Sequence, residues 1–73
     1  MSEDNLAKMA NDIGHFFAAE ADPDEAVRGI AAHIGKFWTR KMRARLIALV
    51  NDADCGLEPL PLQAARRLAA TQD

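Results

Sequence analysis

The sequence has a single cysteine, Cys55, and one thiol cannot close an internal disulfide, so the chain has no covalent staple of its own. It also lacks any continuous apolar run near the ~20 residues that cross a bilayer. Its opening Met-Ser-Glu-Asp-Asn-Leu carries acids where a secretion signal carries positive charge. A soluble, cytoplasmic chain is expected, with no membrane partner. An excess of charge of one sign is missing too: 9 Lys and Arg stand against 11 Asp and Glu, and the net charge of −2 gives no bulk attraction to nucleic acid. There are no internal repeats, no low-complexity segments and no glycine-rich phosphate loop. Size is the last thing in short supply. A chain of 73 residues forms at most one domain, and folding at this size removes only about 60% of the unfolded surface from water. Burial at ~25 cal/mol per Å² then nearly cancels against ~1.5 kcal/mol of conformational entropy per residue, so help from a partner protein is expected.

What is present is helical periodicity. Residues 1–73 read as a single all-α domain, a small bundle of three amphipathic helices with a short C-terminal fourth helix, at about 3–20, 23–37, 40–51 and 59–69. In the first helix, with Ser2 as N-cap, Leu6, Ala10, Ile13 and Phe17 share a face bordered by Met9 and Phe16, opposite Lys8, Asn11 and His15. His15 is expected in water with no ligand role, and Gly14 marks close approach of another helix. At Asp22-Pro23-Asp24-Glu25, Asp22 caps, Pro23 takes the first helical position and Glu25 completes a capping box. The short connections predict that helices next to each other in sequence pack antiparallel.

The chain is organised around His33 to Leu49, which holds the only Trp and the densest positive charge: Lys36 to Arg45 contains five basic side chains and no acid. The stripe Val27, Ile30, Ala31, Ile34, Phe37 and Trp38 ends in two adjacent aromatics. Phe37 is expected in the core, whereas Trp38 is divided evenly between core and interface. Thr39 is the expected N-cap of a third helix with the stripe Met42, Leu46, Leu49 and Val50, flanked by Arg40, Lys41, Arg43 and Arg45. His33, at the stripe's edge, reads as a half-buried, hydrogen-bonded histidine or as a partner contact. In the tail, Leu60 and Leu62 point to different sides of a helix, so one of them faces away from the core.

Chemistry-bearing sets are scarce. Acids surround Cys55 and no base stands near it, which argues against a nucleophile. Asp52 and Asp54 lack the glycine and the closing Glu of a calcium loop. An independent enzyme would need a catalytic constellation and a pocket that nothing in the pattern provides, so no catalytic, cofactor-binding or metal residue is assigned. A small helix-turn-helix-like DNA-binding protein is the alternative reading, on the strength of the basic third helix. Against it, that helix continues as Leu46-Ile47-Ala48-Leu49-Val50, which offers base edges no donors. An interaction module fits best: aromatics, Met and Arg gathered on one surface are the types enriched at interface centres. The expected partner-binding residues are His33, Trp38, Arg40, Met42, Arg43, Leu60 and Leu62.

Several strings point further. Leu6-Ala7-Lys8-Met9-Ala10-Asn11-Asp12-Ile13 with Phe16-Phe17, then Ala26-Val27 with Gly29-Ile30-Ala31-Ala32-His33-Ile34, then Phe37-Trp38, Met42-Arg43 and Leu46, then Gly56-Leu57-Glu58-Pro59-Leu60 together cover nearly the whole chain. In combination they resemble the delta subunit of the soluble, NAD-dependent, molybdenum-containing formate dehydrogenases of bacteria. One departure is Thr39-Arg40-Lys41, where that family often carries an acid and a proline after Trp. The resemblance implies a non-catalytic accessory chain of a complex that oxidises formate to carbon dioxide and passes the electrons to NAD. It implies as partners the larger subunits, foremost the molybdenum-containing catalytic one, while the charge balance and the third helix argue against a nucleic acid. Molybdopterin, iron–sulfur clusters, FMN and NAD would then sit on those other subunits. One Cys and two distant His residues agree with that, being unable to hold a cluster.

Overall fold

In a computed structural model of the chain, residues 2–51 and 56–71 are described, with side chains from Leu6 to Asn51 and from Gly56 to Ala70. The expectations for Asp52, Asp54 and Cys55 lie outside the described residues. Four helices follow one another: α1 (Ser2–Phe17), α2 (Pro23–Phe37), α3 (Arg40–Leu49) and α4 (Pro59–Thr71), with no strand among the described residues. The all-α expectation holds. Two details of it change. α1 already includes Ser2, so that residue is not its N-cap, and it stops at Phe17, with the Glu20 N–H donating to the Phe17 carbonyl to turn the chain. α4 is longer than α3 and contributes Pro61, Ala64 and Ala65 to the interior, so it is an integral wall of the bundle.

Local chemistry sets the helix starts. Asp22 receives the Asp24 N–H at 3.0 Å on its carboxylate and the Ala26 N–H on its carbonyl, while Pro23 opens α2 at a position whose N–H would have no partner. The capping box itself does not form: the Asp22 carboxylate takes the second amide of α2 rather than that of Glu25, and Glu25 is exposed and makes no return bond. Thr39 caps α3 as expected, its hydroxyl accepting the Met42 N–H at 3.1 Å.

The core gathers Leu6 and Ala10 from α1, Val27, Ile30, Ala31 and Ile34 from α2, Trp38 from the α2–α3 link, Leu46 from α3, and Ala64 and Ala65 from α4. Ile13, Phe17, Met42, Leu49, Val50, Leu57, Leu60 and Leu68 pack around it. α2 packs most extensively on α4, whose Ala64 and Ala65 are fully buried. A Cβ on Gly14 would stand 2.9 Å from Pro61 Cδ, so the glycine is what admits the α4 proline against α1. Gly29 does the same for the Phe17 ring, which passes where its Cβ would be.

Antiparallel packing of sequence neighbours does not extend to α2 and α3. These two helices barely touch, and α3 lies instead against α1 and α4. The reason is the link itself. Trp38 (φ −87, ψ 146) and Thr39 (φ −69, ψ 161) are both extended, so the chain turns a corner, and a two-residue link of this kind does not fold α3 back along α2.

Candidate functional surface

The corner between α2 and α3 carries most of the residues that the sequence singles out, and the break in the helix sorts them. Trp38 leaves the helix as its C-cap, its N–H still bonded to the Ile34 carbonyl at 3.0 Å, and its indole turns inward until only 6% of its surface is exposed. Phe37, the last helical residue, stays on the rim and is 71% exposed. That reverses the expectation for Phe37. The stripe of α2 runs Ile30, Ile34, Trp38 in steps of four, and once the indole fills the end of the core the neighbouring ring has no room there.

Arg43 closes the corner from the other side. Its Nη1 donates to the Trp38 carbonyl at 2.7 Å and to the Gly35 carbonyl at 3.4 Å, so a side chain of α3 satisfies carbonyls at the end of α2. A cation there also complements the negative end of the α2 dipole. Arg43 is thus half-buried and engaged within the chain, and Met42, also half-buried, packs on the core beside it. His33 is exposed where a half-buried, hydrogen-bonded ring is one of its two expected settings. One turn before Phe37, it lies ring against ring with it at 4.8 Å and a 42° tilt. Arg40 is exposed at the first position of α3. Leu60 and Leu62 are both half-buried, but only Leu60 packs on the core, so Leu62 is the one that turns away.

A second polar assembly joins α1 to the start of α4. The Asn11 amide donates to the Gly56 carbonyl at 2.9 Å and accepts the Glu58 N–H at 2.9 Å, so both arms of one side chain are spent on the backbone of residues 56 to 58. Glu58 in turn caps α4, its carbonyl accepting the Leu62 N–H at 2.9 Å. Gly56 sits at φ +82, a backbone setting that glycine adopts without penalty, and it aims its carbonyl at Asn11. Beside this clasp His15 Nε2 meets the Glu58 carboxylate at 2.9 and 3.1 Å. His15 is exposed as expected but has a partner that sequence reasoning did not find. Neither Asn11 nor Glu58 stands out in the sequence; their meeting depends on how α4 returns across α1.

Among the described residues there is no cavity and no cluster of three metal-ligating side chains. No described helix is long and apolar enough to cross a membrane. The helix-turn-helix alternative gains nothing from the fold, because that motif seats its second helix firmly on its first, whereas α2 and α3 hardly meet.

The fold and its surface therefore define a small helical bundle whose distinguishing features are an internally braced corner and exposed aromatic rings. A family model described as NADH-dependant formate dehydrogenase delta subunit FdsD matches residues 5–65, and the chain belongs to that family. It is accordingly a subunit type of an NAD-dependent formate dehydrogenase, which places it in a complex with other subunits. No curated protein and no solved structure matches the chain.

Proposed function

We propose that this chain is a non-catalytic accessory subunit that acts in the assembly or stabilisation of its formate dehydrogenase by binding a larger subunit, the molybdenum-containing catalytic one, in the cytoplasm. The observation that carries this reading is the exposure of a large aromatic ring at the braced corner of a chain whose core is short of apolar area: Phe37 is 71% exposed. A bundle that leaves such a ring in water while four of its ten buried core residues are alanines has apolar surface to give to a neighbour. The chemistry belongs elsewhere in the complex: molybdopterin, iron–sulfur clusters, FMN and NAD on the larger subunits, none on this chain. Of the expected contact residues, His33, Arg40 and Leu62 face outward, while Trp38, Met42, Arg43 and Leu60 hold the backbone that presents them.

The test is purification of the enzyme with and without this chain. With it absent, formate oxidation per correctly loaded molybdenum centre should stay near normal, while the yield or lifetime of assembled enzyme falls. A fully loaded and fully assembled enzyme that had lost turnover would sink the non-catalytic reading. Failure of the tagged chain to co-purify with any larger subunit would sink the partner assignment.

A further inference from the structure

From Ala26 to Asn51 the sequence contains six basic residues and no acid. Three of them, Arg40, Lys41 and Arg43, fall in the first turn or so of α3, whose first turn holds no acid and whose last turn holds no base. This is the reverse of what a helix favours by itself, since the first turn carries the positive end of the dipole. Arg43 escapes the conflict by reaching across to the α2 carbonyls. Arg40 and Lys41 do not: both are exposed, and so is Lys36 at the end of α2, and none of the three has an ion-pair partner among the described residues. Between these charges along the chain stands Phe37, 71% exposed, with the His33 ring against it.

We propose that the outer face of the α2–α3 corner, His33, Lys36, Phe37, Arg40 and Lys41, is the docking surface, and that its occupant is a protein surface with an apolar hollow rimmed by carboxylates, the hollow receiving Phe37. The inference rests on the subunit role proposed above and names the surface and the chemistry of the partner. Charge complementarity decides the rim: cations placed against the helix dipole cost the free chain stability, and an acidic partner turns that cost into attraction. The ring decides the centre, because a rigid aromatic surrounded by polar residues is the usual form of an interface anchor. A polyanion fits less well. The acids of residues 2–25 and the net charge of −2 give a nucleic acid little to hold outside this one patch.

The corner also makes the test unusually clean. Arg40→Glu with Lys41→Glu puts acids at the positive end of α3, so the variant should melt no lower than the parent while its retention by the enzyme drops. The double variant, Phe37→Ala and Phe16→Ala are each compared with the parent for binding to formate dehydrogenase purified without this chain, with circular dichroism as the folding check. Expected are losses of affinity of at least ~10-fold for the double variant and for Phe37→Ala, a weakening of parental binding as salt rises, and near-parental binding for Phe16→Ala. If the parent binds and both corner variants bind equally well, this surface is wrong and the subunit role stands. If the parent itself does not bind, the subunit role fails first. Parental binding to duplex DNA in preference to the enzyme would overturn the assignment of a protein partner.

Discussion

The α1–α4 seam and the α2–α3 corner use the same device and end in opposite states. In each, one polar side chain reaches a backbone far from it in sequence or across a helix break: Asn11 to Gly56 and Glu58 at the seam, Arg43 to Trp38 and Gly35 at the corner. At the seam the device completes the surface, since His15 and Glu58 pair with each other and Gly14 closes on Pro61. At the corner it fixes the backbone and leaves the outer residues unmatched, with Phe37 71% exposed and Lys36, Arg40 and Lys41 without counter-charges among the described residues. The difference separates rigidity from satisfaction. A rigid rim with unmatched groups presents a fixed shape and charge to a partner, and such pre-ordering lowers the entropy lost on docking.

The comparison can be broken most severely at the interior both regions share. Leu46→Ala removes the fully buried side chain of α3 and should cost about 2–5 kcal/mol. For a chain of this size, with total stability on the order of 4–11 kcal/mol, that is a large share. Urea denaturation should show a sharply lower midpoint, and binding should be lost along with folding. Arg43→Ala is the next largest. It uncovers the carbonyls of Trp38 and Gly35 at a half-exposed site, so a loss of about 1–2 kcal/mol is expected. Weakened docking should accompany it, through movement of Phe37 and Arg40 with the corner. A variant with parental melting and parental binding would show that the corner needs no brace. Asn11→Ala should cost about 1 kcal/mol by the same measurement while leaving affinity for the enzyme unchanged, because the seam faces away from the partner in this scheme. The smallest effect has the opposite sign: Arg40→Glu alone should raise stability by about 0.3–1 kcal/mol, read as a slightly higher melting temperature.

The helices were legible in the sequence because their signals are local. Asp22-Pro23 and Thr39 cap where their chemistry says they should, and the apolar spacing of α2 and α3 picks out Ile30, Ile34, Met42 and Leu46 correctly. The sorting of Phe37 from Trp38 was not legible. At a helix end the spacing rule stops applying, and which of two adjacent rings goes inside depends on the ψ of the residue after the break. Arg43 was visible as a cation but not as a cap, since its acceptors belong to another helix. Asn11 and Glu58 lie 47 residues apart, and no periodicity connects them. The family strings did contain both ends of that clasp without saying that they touch.

α3 is 10 residues long and has one fully buried side chain, Leu46, whereas α2 has five buried residues. Stability is therefore distributed unevenly along the chain, and α3 is the helix with the least holding it down. Its amides should exchange with deuterated solvent through a partial opening that leaves α2 and α4 closed, well before the whole bundle unfolds. Because Arg40 and Lys41 sit on the same short helix, docking at the corner has to suppress that opening. The amide protection of α3, far more than that of α2, becomes a gauge of how much of the chain in a cell is bound.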